Sequence, residues 1–163
     1  MTAIMHLGVL CMVLLAVTVS AKNVPSVVRG KQINDVSIVH DIQNFARSHP
    51  GTKIIPMKKE ESMGRTQSVR YTLGGRVSGD SLVAQGTDTF SYAAPNDLNL
   101  QLSYPENGTG AIVTFVELVA IQNNNLGNAY VVSGGIGQRS ISIIIEAQET
   151  DYFSYKAQYF GID

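Results

Sequence analysis

The sequence predicts an all-β fold, an antiparallel β-sandwich or meander, with a short N-terminal helix and a linker before it. Three observations support this class. Apolar residues occupy every second position of one run, namely Leu98, Leu100, Leu102 and Tyr104, which is the period of a strand with one buried face. Clusters of Gly, Asn and Pro separate such runs, as turns do in β proteins. After Ser68 the strand patterns do not alternate with helical ones, so a parallel α/β enzyme fold is not expected.

The composition fits one ordinary folded domain. The chain has 163 residues, of which 44% are hydrophobic and 15% charged, and its formal net charge is -1. This balance excludes a charged, disordered chain. It also argues against direct nucleic-acid binding, which needs clustered Lys and Arg to contact phosphates.

Residues 1–21 are expected to form a secretory signal peptide. The run from Leu7 to Val19 is almost continuously apolar, and about 13 apolar residues are too few to span a bilayer but fit the core of a signal. Small residues at Val19-Ser20-Ala21 provide a cleavage site, so the mature chain is expected to begin at Lys22 and to be extracellular, with no membrane contact afterwards. The alternative is a buried N-terminal helix or strand.

Signal removal would take away the only cysteine, Cys11. The mature protein would then have no disulfide, cysteine-based zinc site or catalytic thiol. One sequon, Asn107-Gly108-Thr109, makes Asn107 a glycosylation candidate in a secreted glycoprotein. The same residues also favour a plain turn without any sugar.

Residues 22–69 are expected to be a basic N-terminal segment. Residues 22–76 carry ten basic and four acidic side chains, whereas residues 77–163 carry two basic and nine acidic ones. A dibasic pair, Lys58-Lys59, would allow processing that makes residues 22–59 a propeptide. A solvated charge run is the favoured interpretation of this pair.

Within this segment, apolar spacing predicts one short amphipathic helix. It covers Asn34–Arg47, with Asn34 or Asp35 as its cap, and His49-Pro50-Gly51 ends it. The stretch from Gly51 to Ser68 has few apolar residues, so it is expected to be a linker.

Residues 70–163 are expected to form the β domain. Strands are predicted over Ala111–Ile121, Ile141–Ala147 and Tyr152–Phe160. Tight turns between strands often need a positive φ, which glycine adopts without strain. Asp80 is expected to bond its own turn, with Arg76 paired to it. The structural turn residues are therefore expected to be Gly75, Gly79, Asp80, Gly134, Gly135 and Gly137.

The sequence contains no recognisable catalytic, cofactor or metal motif. The run from Gly134 to Gly137 precedes a β-branched strand rather than a helix, so a hairpin turn is favoured over a phosphate-binding loop. His40 and His49 are not at the i, i+4 spacing of two ligands on one helix face. No catalytic, cofactor-binding or metal-ligating residue is therefore expected.

Two acidic pairs leave an enzymatic alternative open. Asp80 with Asp88, or Glu146 with Glu149, would do acid–base work if the fold brought them together. Acidic residues beside turns more often cap the turn or lie in solvent. A secreted hydrolase that uses these carboxylates therefore ranks below a non-enzymatic protein.

The region from Tyr71 to Gly161 carries several short motifs in a fixed order. They are Gly75-Arg76-Val77-Ser78-Gly79-Asp80-Ser81-Leu82-Val83, Val119-Ala120-Ile121, Ala129-Tyr130-Val131-Val132-Ser133-Gly134-Gly135-Ile136-Gly137, Ile141-Ser142-Ile143, Gln148, Phe153 and Tyr159-Phe160-Gly161. In these motifs the chain resembles the insect family named for multiprotein bridging factor 2, a transcription activator, many of whose members are described as secreted or salivary peptides. The family often has a turn with Gly and Arg where this chain has Glu149-Thr150-Asp151-Tyr152.

The resemblance implies a compact, non-enzymatic β domain. Together with the leader, it predicts a secreted protein that acts by protein–protein or extracellular binding, with an unknown protein partner. The family name implies an alternative, a nuclear coactivator that bridges a DNA-binding regulator to the basal transcription machinery without touching DNA itself. Transcription factors are partners only under that alternative.

Overall fold

The computed structural model describes residues 31–32, 36–38, 41–62 and 67–163. The predicted signal segment, with Cys11, lies outside these residues. Three further positions singled out from the sequence, Asn34, Asp35 and His40, also lie outside them.

The described residues form nine strands and one helix. In chain order they are β1 (Lys31–Gln32), β2 (Val36–Ile38), α1 (Ile42–Ser48), β3 (Ile55–Pro56), β4 (Lys58–Ser62), β5 (Gln67–Gly74), β6 (Ser81–Tyr104), β7 (Ile112–Gln122), β8 (Ala129–Gly134) and β9 (Ile141–Ile162).

The sheet is organised around two long strands, β6 and β9, which pair antiparallel along their length. On the other side of β9, strand β7 pairs with its C-terminal part and β8 with its N-terminal part. The sheet continues from β7 through β5 to β4, and from β8 to β3. We call these two parts of the sheet, each taken with the segments of β6 and β9 beside it, the β7 half and the β8 half.

A single residue, Met57, joins the two halves, because it separates β3 of the β8 half from β4 of the β7 half. Met57 is buried and donates its N–H to the Ala129 carbonyl oxygen at 2.9 Å. The connection makes the sheet nearly closed. The prediction of an all-β, largely antiparallel fold is confirmed, although the short β1 runs parallel to β6.

The core lies between the two halves, and it follows from the alternation along the strands. Tyr104 and Tyr159 stack at its centre with ring centroids 5.6 Å apart. Inward-facing residues of every long strand surround them, among them Val69, Leu100, Leu102, Val113, Val116, Leu118, Ile143, Ile145 and Phe153. Burial of these side chains is the main source of stability in a domain whose described residues hold no disulfide.

The helix is shorter than predicted. Residues Val36–Ile38, expected to lie in it, form β2 and pair with Leu100–Leu102 of β6. The helix instead begins after Asp41, whose carboxylate accepts the Asn44 N–H at 2.6 Å as an N-cap. Strand pairing is a non-local contact, which apolar spacing alone does not reveal.

The predicted linker contains two strands. In β4, Lys58 and Glu60 form an ion pair at 2.6 Å, and Glu60 also contacts Arg70 of the neighbouring strand at 2.9 Å. Lys59 pairs with Glu61. The dibasic pair therefore lies in a sheet strand rather than in a loop. Because successive side chains of a strand point to opposite faces, the two lysines form their ion pairs on opposite faces of the sheet.

Candidate protein-docking site at two glycine turns

The turn between β5 and β6 is held together by Asp80. Its side chain is only 2% exposed. The carboxylate accepts hydrogen bonds from Arg76 Nε at 2.8 Å, from the Val77 N–H at 3.0 Å and from Thr114 Oγ1 at 2.9 Å. The hydrogen bond from the Arg76 guanidinium is the main cause that lowers the pKa of Asp80 to about 2. The carboxylate is therefore ionised at neutral pH and fully engaged within the fold.

Arg76 also anchors this turn to the last strand. Its guanidinium lies 3.8 Å from the centroid of the Phe160 ring, a cation–π distance. Phe160 in turn packs against Phe115 of β7, with centroids 5.9 Å apart. The turn is thus attached to two strands by side chains distant in sequence.

The second turn connects β8 to β9 and also contacts the start of β7. Gly137 donates its N–H to the Val113 carbonyl oxygen, and Val113 donates to Gln138, both at 2.8 Å. Gly134 has a φ of 66°, and a Cβ there would overlap the Ser140 carbonyl oxygen. Only glycine fits this position without displacing the hairpin.

Positive φ occurs at four of the predicted turn glycines, Gly79, Gly134, Gly135 and Gly137. At the start of the first turn it falls on Gly74, with φ of 74°, rather than on Gly75. A Cβ at Gly74 would meet the Thr114 carbonyl oxygen and the Ile136 side chain. Gly75 instead donates its N–H to that same carbonyl oxygen at 3.2 Å. The positive φ therefore lies one residue earlier than predicted.

The two turns meet over the start of β7 and enclose a shallow hollow of about 300 Å³. Its lining includes Val77 and Ile136, which are 48% and 41% exposed. Ile112 also lines the hollow, and it pairs with Ile162, which is 39% exposed. We call these four residues the turn surface. We take this apolar group as the candidate protein-contact surface.

The first acidic pair does not form a catalytic arrangement. Asp80 is engaged as described above, whereas Asp88 lies exposed within β6 and accepts the N–H of Thr89 at 2.8 Å. The two carboxylates therefore have separate partners and separate environments.

The second pair is also split. Glu146 is 6% exposed, and its carboxylate interacts with the N–H of Ile42 and the hydroxyl of Tyr130. Burial raises the pKa of Glu146, and the nearby charge of Asp41 adds to this effect. Glu149 lies exposed at a bend of β9.

The structure also places two other residues that were singled out from the sequence. Asn107 is exposed in the turn between β6 and β7. His49 stacks on Phe45 at the end of α1, with centroids 4.2 Å apart. Among the described residues, no group of His, Cys, Asp or Glu is arranged to hold a metal ion. In the same part of the chain, no helix has the length and apolar character needed to cross a membrane.

Two residues of this site, Thr114 and Phe160, could not be recognised from the sequence as contact partners of Asp80 and Arg76. Thr114 lies within a strand whose pattern indicates only a polar side chain on the outer face, and Phe160 belongs to an aromatic alternation that indicates only a strand. Their contacts with Asp80 and Arg76 depend on strand order. The sequence contains no local pattern that would reveal them.

The fold and this site define a small all-β protein with a nearly closed sheet and a rigid apolar surface at one end. The family model described as "Transcription activator MBF2" matches residues 73–161. This match covers more than half of the chain and confirms the resemblance, so the chain belongs to the MBF2 transcription activator family. No curated protein and no solved structure matches the chain significantly.

Proposed function

We propose that this protein is a non-enzymatic coactivator that binds other proteins through the turn surface. Membership of the transcription activator family supports this role, and so do the exposed side chains of Val77, Ile136 and Ile162, which lie around the half-buried Ile112. A bridging protein must present a surface that is already rigid, because ordering flexible residues on binding costs free energy. The Asp80 and glycine contacts supply that rigidity.

The arrangement of the carboxylates supports a non-enzymatic role. A general acid needs a pKa near the working pH and a free path to its substrate. Asp80 has a pKa of about 2 and is saturated with hydrogen bonds. Glu146 is buried against α1 rather than open to a substrate, because its carboxylate interacts with the Ile42 N–H.

The partner is proposed to be a protein, not DNA. In the described residues after Arg76, the basic side chains are Arg139 and Lys156, against nine acidic ones. In the described residues up to Arg76, the cations Lys58, Lys59, Arg70 and Arg76 are each paired with a carboxylate, which leaves them less available for phosphates. Contact with DNA would therefore pass through a sequence-specific regulator to which this protein binds.

A reporter assay tests the role of the turn surface. The full chain is fused to a heterologous DNA-binding domain, and transcription from a matching promoter is measured. We expect activation by the parent chain and its loss in the double variant Val77→Asp and Ile136→Asp. Leu126→Asp is the matched control, because Leu126 is 43% exposed but lies in the turn after β7, at the other end of that strand. Equal activity of the double variant and the control would contradict the proposal.

A second candidate is a secreted binding protein that uses the same surface outside the cell. The specific observation that favours it is the apolar run from Leu7 to Val19, followed by small residues up to Ala21. Intact mass and N-terminal sequencing of the protein from medium and lysate distinguish the two candidates. A product in the medium that starts at Lys22 and carries sugar at Asn107 would support secretion. An uncleaved chain in the nucleus would support the coactivator.

A further inference from the structure

A groove of about 790 Å³ separates α1 from the outer face of the β8 half. This volume lies in the range of roughly 300–1,000 Å³ that is usual for small-molecule sites. The sheet forms the floor and α1 with the chain after it forms the wall. The lining residues that matter for recognition are Gln101, Ser133 and Ser142 on the floor, and Phe45, His49 and Asp41 on the wall.

The floor has free hydrogen-bonding capacity. Within the described part of the chain, the side chains of Gln101 and Ser133 make no hydrogen bond. Ser142 shares one hydrogen bond of 2.9 Å with Ser103. Whichever hydroxyl donates, Ser142 Oγ keeps a lone pair that can accept a further hydrogen bond. The floor therefore offers an amide and two hydroxyls to a polar ligand.

The wall contributes two aromatic rings. The rings of Phe45 and His49 are stacked with centroids 4.2 Å apart and planes inclined by 19°. Nδ1 of His49 lies 3.0 Å from the Phe45 carbonyl oxygen. Nδ1 also lies 3.1 Å from Ser48 Oγ, so this nitrogen is engaged by the end of the helix.

Among the described residues that line the groove, Asp41 is the one acidic side chain, and there is no Lys or Arg. The Asp41 carboxylate is occupied by the backbone N–H and the side-chain amide of Asn44, at 2.6 and 2.7 Å. A phosphate would find no cation on this lining, and an amine would compete with the helix cap for the carboxylate. A neutral ligand is therefore favoured.

The floor does not suit an extended peptide. Strands β6, β9 and β8 pair with one another here, with Ile144 opposite both Gln101 and Tyr130. Their main-chain groups are already used, so a peptide would find no free strand edge to extend. Recognition must come from side chains, which favours a compact ligand with many hydroxyls.

We propose that this groove binds a neutral saccharide. A sugar ring has an apolar C–H face, which suits the stacked Phe45 and His49 rings, and a polar edge of hydroxyls, which suits Gln101, Ser133 and Ser142. The proposal is independent of the turn surface, which lies on other residues. It adds a small-molecule site to a protein otherwise expected to bind proteins.

Saturation-transfer NMR of the full chain tests this proposal. The probes are glucose, galactose, mannose, N-acetylglucosamine and chitotriose, with glucose 6-phosphate and a Gly-Ser hexapeptide as comparison ligands. We expect saturation transfer to at least one neutral sugar with a Kd on the order of 1 mM. Gln101→Ala should weaken it by about fivefold, the equivalent of one lost hydrogen bond.

Two further variants keep the test decisive. Ser133→Trp fills the groove from an exposed position and should abolish transfer. Gln85→Ala changes the same residue type on the same strand, opposite Gln158 in the β7 half, and should leave binding unchanged. Circular dichroism checks that each variant is folded. The proposal is overturned if no neutral sugar binds, if Gln101→Ala and Gln85→Ala bind equally, or if the phosphate or the peptide binds in place of the sugars.

Discussion

Arg76 lies between two partners, with its guanidinium 3.8 Å above the Phe160 ring and its Nε 2.8 Å from the Asp80 carboxylate. One side chain therefore joins the turn after β5 to the last strand of the sheet. This contact adds to the hydrogen bonds that Asp80 accepts from the Val77 N–H and from Thr114 Oγ1, and together they hold the turn from which Val77 projects. The site is built from the same contacts that stabilise the fold.

The first prediction concerns the acid stability of this turn. The pKa of Asp80 is lowered in the folded state to about 2 from the ordinary 3.8, so its ionisation stabilises the fold above the unfolded pKa. That contribution is lost as the pH falls from about 4 to about 2. Asp80→Asn should lower Tm by several degrees at pH 7. Between about pH 4 and about pH 2, the Tm of this variant should fall less steeply than that of the parent. Thermal melts across pH measure both effects.

Asp88→Asn provides the control for that experiment. Asp88 is exposed, and its carboxylate accepts the N–H of its neighbour Thr89. We expect this variant to keep the parental Tm at pH 7 and the parental decrease of Tm at acid pH. If the two variants behaved alike, the special role of Asp80 would be refuted.

The second prediction concerns the bend of β9 at Glu149. Its φ of 50° is the left-handed conformation that favours glycine. The strain is offset by a hydrogen bond of 2.9 Å from its N–H to Asp97 and one of 3.0 Å from Asn124 to its carbonyl oxygen. Glu149→Gly keeps these main-chain bonds and removes about 1–2 kcal/mol of strain. Glycine also adds freedom to the unfolded chain, so the net stabilisation should be about 0.5 kcal/mol. Urea denaturation measures the change.

Gln148→Gly is the matched control at this bend. Gln148 precedes the strained residue and has no positive φ, so glycine there brings only additional freedom to the unfolded chain. We expect a loss of stability from this variant. A gain of similar size from both substitutions would mean that strain at Glu149 is not the cause.

The fold class could be predicted from the sequence because alternation in runs such as 98–104 is a local property. Strand β4 could not be predicted, because Lys58 and Glu60 face outward and Arg70, which pairs with Glu60, belongs to another strand. The turn glycines could be predicted, because Gly-rich segments of a sequence indicate turns. The contacts of Asp80 with Thr114 and of Arg76 with Phe160 could not be predicted, because they exist only once strand order brings distant residues together.

The third prediction concerns the buried hydroxyl of Tyr159. The side chain is fully buried, and its oxygen has no hydrogen-bond partner in the described part of the chain. An unsatisfied buried hydroxyl costs free energy, so Tyr159→Phe should raise the free energy of unfolding by about 1 kcal/mol. Tyr104→Phe should do the opposite, because the Tyr104 oxygen accepts the Ala111 N–H at 2.8 Å. A destabilised Tyr159→Phe protein would contradict this assignment.

The fourth prediction concerns the buried Glu146 beneath α1. Its pKa is raised mainly by burial, so the charged form weakens the fold above the raised pKa, and this penalty is relieved as the pH falls through it. Glu146→Gln keeps an acceptor oxygen for the Ile42 N–H and the Tyr130 hydroxyl but has no charge to bury. We expect the variant to be more stable than the parent at pH 7, with the difference shrinking as the pH is lowered. Denaturant unfolding at a series of pH values, with the exposed Glu149→Gln as control, measures it. A difference that grew on acidification would mean that the Glu146 carboxylate is stabilised, rather than penalised, in the folded protein.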